Sequence, residues 1–305
     1  MKKFLINSIL LLLFILVSVL LIIKIVPPII RNNNDYVGAS IDKEKRLNSI
    51  NRPKIIFVGG SNLAFGLNSK AIEDSTGYPV VNMALHAGLG LDFILNEAVG
   101  GIKKNDICLL SLEYNLGKRP DIKLLTQLSD LNSKGKKYID LTTNETISYY
   151  VYDIQRCLTT SIKMLGKSFS NSIYLRNGFT KEGDLTTYFD RPNVPYMVPD
   201  FGTIDYSDKI KKINEFVEAC NSKGAKTYFV FPTCQDSTYL GNKKSITAFA
   251  AKLHSTIMCP ILNTPESMVF KSENYFNSEY HMNKKGRVLR TQKMIEIIKE
   301  NKIID

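Results

Sequence analysis

The sequence predicts a three-layer α/β protein in which a mostly parallel, five-stranded sheet lies between helices. Two observations predict it: short apolar segments alternate with helical ones, and glycine, proline or asparagine marks the change from one element to the next. Such alternation is typical of parallel sheets, because parallel neighbours need a crossover connection. The 305 residues suffice for one large domain or two small ones.

Five apolar segments are predicted to be strands, and helical patterns separate them. The predicted strands are residues 54–58 (KIIFV), 80–85 (VVNMAL), 107–112 (ICLLSL), 226–231 (KTYFVF) and a short fifth at 260–262. Helices are predicted from about residue 69 to Gly77 and over residues 91–102, 206–222, 243–255 and 284–301.

The alternation breaks at about residues 116–205, which we predict to be an insert in the α/β domain. Residues 143–166 are predicted to form a long amphipathic helix, and residues 180–205, rich in Pro, Gly, Asp and Tyr, an ordered loop. The apolar positions of the helix are Ile147, Tyr150, Val151, Ile154, Cys157 and Leu158.

The N-terminus contains a strongly apolar segment. Residues 4–23 carry no charge, and at a rise of about 1.5 Å per residue a helix of this length crosses the roughly 30 Å core of a bilayer. Pro27 and Pro28 are predicted to end the helix. The alternative is a cleaved signal peptide, but its apolar region is normally about 7–15 residues long and is followed by small residues. We therefore predict an uncleaved anchor that contacts the bilayer through residues 4–23.

This anchor sets the expected organisation of the chain. Residues 1–30 are predicted to be a short cytoplasmic end plus the transmembrane helix, residues 31–53 a polar tether, and residues 54–305 the α/β domain. Lys2 and Lys3 favour a cytoplasmic N-terminus, which makes the protein single-pass with its large domain outside the cytoplasm.

Composition and motifs exclude several functional classes. The net charge of +11 has three interpretations. It is either an ordinary solvated surface, or a surface that attracts anionic lipid or an acidic polymer. The chain has no basic helix with interleaved aromatic residues, so nucleic acid is a poor candidate partner. The loop after the first predicted strand lacks G-x-G-x-x-G and G-K-[ST], so nucleotide binding is weakly supported. The five cysteines form no C-x-x-C pair, and no cluster has metal-ligand spacing. We expect no cofactor and no metal.

Polar residues follow the predicted strands at their carboxyl ends, where functional groups gather in an open parallel sheet. One edge of the sheet thus collects a serine, glycines, an asparagine and a histidine; the residues are Gly60, Ser61, Asn62, His86, Gly88, Glu113, Asn115 and His281. A serine nucleophile needs a base such as histidine, and the oxyanion that forms needs fixed N–H donors. The alternatives are a helix cap for Ser61 and packing for His86.

The order of these residues resembles the SGNH/GDSL hydrolase family. The resemblance lies in IIFVGGSNLAFG (55–66), VVNMALHAGLG (80–90), LLSLEYN (109–115) and YHMNKKGR (280–287), and it spans most of residues 54–300 outside the insert. It implies a flavodoxin-like sandwich, Ser61 as nucleophile, His281 as base, and Gly88 with Asn115 as oxyanion donors. Asn62, His86 and Glu113 are further candidates for oxyanion or substrate binding, and Glu113 is equally suited to bind the insert.

The chain departs from the family pattern at three positions. Gly60 stands where an aspartate usually precedes the nucleophile, and Glu113 replaces the third-block glycine. Ser278 stands where the catalytic acid is expected, so that either neighbour, Asn277 or Glu279, is left to orient the imidazole.

The sequence is therefore compatible with two functions. The first is a serine esterase or acyltransferase that acts on an acyl ester, such as an acetyl ester, of an envelope glycan or lipid. The second is a catalytically inactive binding or assembly protein of the cell envelope on the same fold. The second is motivated by the missing acid.

Overall fold

A four-stranded parallel sheet and an apolar N-terminal helix frame the fold. The computed structural model describes residues 1–30, 34–116, 119–164, 173–202 and 206–304. The strands are β1 (Ile55–Gly59), β2 (Val80–Asn82), β3 (Ile107–Ser111) and β4 (Lys226–Phe229), and they lie in the order β2-β1-β3-β4. In the register of β1, Ile55 lies opposite Val80 on one side and Ile107 on the other.

The central strands are buried on both faces, as expected for a parallel sheet covered by helices. Every residue of β1 and β3 is buried. Alternate side chains enter different apolar clusters: Ile55 and Phe57 lie in one, and Ile56 and Val58 lie in the other. The sheet is therefore the shared wall of two cores.

Helices cover both faces of the sheet. In chain order, the described residues form α1 (Lys2–Ile30), α2 (Ala39–Ser49), α3 (Ser61–Gly66), α4 (Ser69–Thr76), α5 (Leu91–Gly101), α6 (Ile122–Leu131), α7 (Thr143–Met164), α8 (Ser207–Ser222), α9 (Asp236–Gly241), α10 (Lys243–Thr256) and α11 (Lys284–Glu300). The helices α4, α6, α7 and α11 contribute to the first cluster, and α5, α8 and α10 contribute to the second.

Several helix ends lie where the sequence predicted them. The Asn68 side chain caps α4 by accepting the Ala71 amide, and α4 ends at Gly77, whose φ of +74° favours glycine. Asn283 caps α11 in the same way, by accepting the Gly286 amide at 3.0 Å. The last helix is the one that follows the predicted histidine segment.

The predicted fifth strand is not confirmed. Ile261 makes only an isolated parallel bridge to Phe229. The ladder stops there because the Phe231 amide donates to the Asn263 side chain at 2.7 Å instead of to a neighbouring backbone. A second, two-stranded parallel sheet that the sequence did not predict follows β4; its strands are β5 (Cys234–Gln235) and β6 (Val269–Phe270).

Part of the predicted polar tether is folded instead. The helix α2 lies within residues 31–53, and its Leu47 is fully buried. Lys43 is also buried, and its Nζ donates to the backbone oxygens of Asn82 (2.8 Å) and Gly183 (2.5 Å). Burial lowers the pKa of Lys43 to about 7. The helix was not predicted because a segment with few apolar residues and many charges is typical of a solvated linker. Residues 31–33 of the predicted tether lie outside the described residues.

The helix α1 is long and apolar enough to cross a membrane. Its most apolar window has a mean hydropathy of 3.3 and is almost wholly exposed. A signal sequence has the same properties, so this finding leaves both interpretations open. The helix continues through Pro27 and Pro28 to Ile30, two residues further than predicted. So close to its end, the prolines disturb few backbone hydrogen bonds.

The insert is held to the rest of the domain by α6, α7 and a buried aspartate. Asp184 accepts hydrogen bonds from the Ser69 amide (2.7 Å), Asn82 Nδ2 (2.8 Å) and Arg287 (3.1 Å). A single residue of the insert thus joins α4, β2 and α11.

The helix predicted at residues 143–166 is present as α7, but its packing differs from the prediction. Its buried side carries Tyr149, Asp153 and Cys157. Ile147 and Val151, which were predicted to face the core, are 61% and 57% exposed. The last two predicted residues of this helix, 165 and 166, lie outside the described residues.

The buried position of α2 makes a testable prediction about the supposed tether. Replacing Leu47→Ala should lower the free energy of unfolding by about 3 kcal/mol, because it leaves a cavity in a closed core. Urea unfolding measures it. The exposed neighbour is the control: Lys45→Ala should change stability by about 0.5 kcal/mol or less. Equal, negligible effects of both would mean that this segment is a tether after all.

Candidate active site

Ser61 lies at the carboxyl edge of the sheet, where β1 turns into α3. Gly60 is the N-cap of that helix and has extended backbone angles, and Ser61 is the first helical residue. Only Gly60 separates the end of the strand from the start of the short helix. Ser61 is therefore positioned by regular secondary structure on both sides. This turn was predicted as a strand end, but α3 itself was not predicted.

His281 is presented to Ser61 by a tight loop before α11. The loop is closed by two backbone hydrogen bonds, from the Phe276 amide to the His281 oxygen (2.8 Å) and from the Asn283 amide to the Asn274 oxygen (2.9 Å). His281 Nε2 lies 2.9 Å from Ser61 Oγ. The structure thus brings together two residues that are 220 positions apart in the chain.

Asn277 holds the other nitrogen of the imidazole. Its Oδ1 lies 2.8 Å from His281 Nδ1, and its Nδ2 donates to the Tyr174 hydroxyl at 2.9 Å. In this orientation the amide nitrogen faces Tyr174 and the amide oxygen faces the ring. With Oδ1 accepting the Nδ1 proton, the lone pair of Nε2 points to Ser61, which is the tautomer that a general base needs.

A phenylalanine on the same helix as Ser61 supports the face of the imidazole. The Phe65 ring is fully buried and stacks on His281 with centroids 3.9 Å apart and an angle of 7° between the planes. Ser61 and Phe65 are four residues apart, so they lie on one face of α3. That single helix turn contacts both the edge and the face of the ring.

The electrostatics of the site keep His281 neutral. Removal from water, with a smaller contribution from the neighbouring His86, lowers its pKa to about 3. Asn277 adds no negative charge that would oppose this shift. The imidazole is therefore the free base at neutral pH, able to accept a proton but with a weak affinity for it.

Ser278 and Glu279 do not touch the imidazole. The Ser278 hydroxyl accepts the amides of Tyr280 (3.3 Å) and His281 (3.1 Å), so it stabilises the turn that presents the ring. The Glu279 carboxylate instead accepts Asn115 Nδ2 at 3.4 Å, and burial raises its pKa. Of the two residues considered for orienting His281, the structure places Asn277 on the ring and Glu279 elsewhere.

The Glu113 carboxylate, at the end of the neighbouring strand, binds the backbone on both sides of Ser61. It follows β3 and is buried, and it accepts the amides of Gly60 (3.2 Å) and Asn62 (2.9 Å), the residues on either side of Ser61. A Cβ atom at position 60 would overlap this carboxylate. Glycine at 60 and glutamate at 113 thus require each other: one leaves the space that the other fills.

A buried arginine holds the opposite side of α3. The Arg290 guanidinium donates to both the backbone oxygen and Oδ1 of Asn62, the latter at 2.7 Å. Gly66 leaves room for it, because a Cβ there would overlap the guanidinium. Asn62 Nδ2 in turn donates to the Ser111 oxygen at 3.0 Å, so this asparagine is a structural residue of the core.

The expected oxyanion donors are engaged elsewhere. The Gly88 amide donates to His86 Nδ1 at 2.9 Å, and the Asn115 side chain donates to Glu279. Within the described part of the chain, the Ser61 amide makes no hydrogen bond. It lies at the start of α3, where helix amides point outward, and so it is the donor best placed for an oxyanion on an acyl group at Ser61.

Four residues that complete the site were not identified from the sequence. They are Tyr36, Phe65, Tyr174 and Arg290. Tyr174 packs against Tyr36, with ring centroids 5.6 Å apart, and Tyr36 lies edge-on to His86 at 6.3 Å. The available signals were weak: a tyrosine in the supposed tether, a tyrosine in the insert, and an arginine spaced three residues from Arg287 on the last helix.

Away from this site, the contact between α6 and α7 contains a polar cluster that the sequence spacing did not reveal. Oxygens of Asp130 and Asp153 and the Cys157 sulfur lie within 4.8 Å of one another and are buried. Arg156 Nε donates to Asp130 at 2.7 Å, and burial raises the pKa of Asp153. All five cysteines are buried free thiols.

Comparisons with known proteins give no family for this chain. No protein-family model matches the sequence, and no curated protein matches it.

The pairing of Gly60 with Glu113 predicts strong coupling between these positions. Glu113→Gly should lower the free energy of unfolding by about 2–4 kcal/mol, because two buried amides lose their acceptor. Gly60→Asp alone should also destabilise, because its side chain meets Glu113. The double variant should recover at least half of the summed loss, since an aspartate at the N-cap accepts the amides of α3.

A double-mutant cycle in urea measures this coupling. Glu273→Gly, which removes an exposed carboxylate, controls for the flexibility that glycine adds. Additive losses in the double variant would contradict the reciprocal fit of the two residues.

Proposed function

We propose that this protein is a serine esterase or acyltransferase that acts on an acyl ester, such as an acetyl ester, of a cell-envelope glycan or lipid. The observation that supports the proposal most is the line of contacts from Ser61 to His281 to Asn277. Both hydrogen-bond distances are below 3 Å, within the reach that proton transfer requires. An oriented base on a serine at a sheet edge has no evident structural purpose.

The chemistry follows from these positions. Ser61 Oγ attacks the ester carbonyl while His281 Nε2 accepts the hydroxyl proton, and the Ser61 amide donates to the oxyanion. His281 then returns the proton to the departing alkoxide, and the acyl group remains on Ser61. Water, or a hydroxyl of an acceptor molecule, loses its proton to His281 and attacks the acyl-serine; the bond between the acyl carbon and Ser61 Oγ then breaks, and His281 returns the proton to Ser61 Oγ. The first acceptor gives hydrolysis and the second gives transfer.

With Asn277 instead of a carboxylate beside Nδ1, His281 is a weaker base, but it can still accept the Ser61 proton. In a serine triad the third residue both orients the ring and stabilises the imidazolium. Asn277, held by Tyr174, performs the first task, and its carbonyl dipole gives modest help with the second. We therefore expect slow turnover, with the loss arising from charge and not from geometry.

The fold supports the same proposal. The sheet has the strand order β2-β1-β3-β4, and the isolated bridge at Ile261 lies beside β4; this order supports the proposal of a flavodoxin-like arrangement. In such a sheet the carboxyl end of β1 adjoins the point where the strand order reverses. Ser61 follows β1 there, which is where ligands bind in open α/β folds.

The position of the anchor supports an envelope substrate. Tyr36, which packs on Tyr174 beside Asn277, follows the last residue of α1, Ile30, by six positions. Six residues span at most about 20 Å. If α1 crosses the membrane, the active site lies close to the bilayer surface, where lipid-linked esters and the innermost envelope polymers are found.

The competing function is an inactive envelope binding or assembly protein. The absence of a carboxylate on His281 and its low pKa favour it, because both weaken the base. The two functions differ in whether Ser61 reacts, so a test of that residue separates them.

Replacing Ser61→Ala should abolish hydrolysis of a chromogenic acetyl ester, with a loss in kcat of about 10³-fold or more, because the nucleophile is removed. The full chain in detergent is assayed beside Ser255→Ala, a surface serine that should keep wild-type rates. A Ser61→Ala rate equal to that of wild type would refute the catalytic proposal and favour the binding function.

The lowered pKa of His281 predicts an unusual pH profile. Because the ring stays unprotonated far below pH 6.5, the acid limb of kcat/KM should lie well below the usual histidine range. In Asn277→Asp, a carboxylate beside Nδ1 should raise the pKa of His281 and move that limb upward by about 1–3 pH units. Initial rates between pH 3 and 8 measure both profiles.

Glu279→Gln is the matched control, because Glu279 does not contact the ring. It should leave the acid limb unchanged. An acid limb near pH 6.5 in the wild type, or a limb that shifts with Glu279 and not with Asn277, would contradict this assignment.

A further inference from the structure

We propose that the exposed apolar face of α7 lies in the bilayer surface beside α1, so that the domain contacts lipid through a second helix. The proposal rests on α1 being the membrane anchor of the proposed function. It names a lipid surface, in the headgroup and upper acyl region, as the partner of α7.

The face is defined by six residues that share one side of α7: Ile147, Tyr150, Val151, Ile154, Leu158 and Ile162. At 100° per residue they form a stripe about 120° wide. Ile147, Tyr150, Val151 and Ile162 are each more than half exposed, and Ile154 and Leu158 are half-buried. No charged residue interrupts the stripe. Five of these six residues belong to the apolar positions predicted from the sequence for this helix; the remaining position of that set, Cys157, is buried instead.

The opposite side of α7 already has its packing partner. Tyr149, Asp153 and Cys157 face α6 and the insert, and Arg156 pairs with Asp130. The helix is therefore held in place by its polar and mixed side. Its apolar stripe contributes little to the fold in water, and its exposure costs free energy unless something covers it.

The position of α1 identifies the covering partner as lipid. The uncharged segment of α1 ends at residue 23, and its side chains from residue 4 to residue 17 are largely exposed. Contact with the domain core begins at Ile22 and Ile23 and includes the buried Val26. The helix α1 packs against α7 and α6 there. The domain thus meets the anchor where the anchor leaves the bilayer, and α7 lies at that level.

The chemistry of the stripe suits this depth. An amphipathic helix that lies in a membrane surface buries its apolar face about 5–10 Å into the headgroup and acyl boundary. Tyrosines are favoured there because the ring enters the apolar layer while the hydroxyl stays in water. Tyr150 is on the stripe, and the ammonium group of Lys123 lies over the Tyr152 ring beside it, 5.0 Å from the centroid.

The chain contains no tryptophan, so one introduced tryptophan reports a single position. The full-length variants Tyr150→Trp (α7 stripe), Phe14→Trp (within α1) and Leu240→Trp (exposed on α9) are reconstituted into phosphatidylcholine vesicles with plain or brominated acyl chains. Bromine should quench Tyr150→Trp by at least half as much as it quenches Phe14→Trp. Leu240→Trp should show no quenching.

Each other outcome overturns the proposal and says why. Quenching of Tyr150→Trp that is no greater than that of Leu240→Trp means that α7 does not touch lipid. A blue shift of Tyr150→Trp that grows with protein concentration, without bromine quenching, means that a second copy covers the stripe. An unquenched Phe14→Trp means that α1 is not a membrane anchor. The acetyl ester assay is independent of all three, so failure here is distinguishable from failure of the catalytic proposal.

Discussion

The geometry of the candidate site depends on one buried carboxylate that holds the backbone around Ser61. Glu113 reaches from the end of β3 to accept the two amides that flank Ser61, and it does so in space that only a glycine at position 60 leaves free. Arg290 fixes the other side of the same turn through Asn62. Buried hydrogen bonds to a carboxylate are stronger than neutral ones, and losing one leaves an amide unpaired. The position of Ser61 is thereby set before any substrate binds.

The other residues of the site contact this turn or one another. Phe65, one helical turn after Ser61, stacks on His281, and Asn277 and Tyr174 hold the far side of the ring. Orientation in this site therefore comes from stacking and neutral hydrogen bonds. The imidazole therefore has no charged partner, and its pKa is lowered by its removal from water, with a smaller contribution from His86.

The sequence predicted the parts of the fold that depend on local pattern. The apolar runs of β1 and β3, the start of α4 near residue 69 and its end at Gly77 are local signals, and so was the placement of serine and histidine after predicted strands. What it missed depends on tertiary partners. Nothing local shows that α2 buries Leu47, that α7 turns its apolar side outward, or that Phe231 ends the fifth strand by bonding to a side chain. Glu113 was recognised as unusual, but its role needed the distance to residue 60.

The central claim is that Ser61 is a nucleophile activated by His281. Intact-mass and peptide mapping after treatment with a fluorophosphonate test it most directly, because this probe reacts only with activated serines. The account predicts one adduct, located on the peptide that contains Ser61, and its loss in His281→Ala, which keeps Ser61 itself. No adduct on the folded wild-type chain, or equal labelling when His281 is removed, would contradict it.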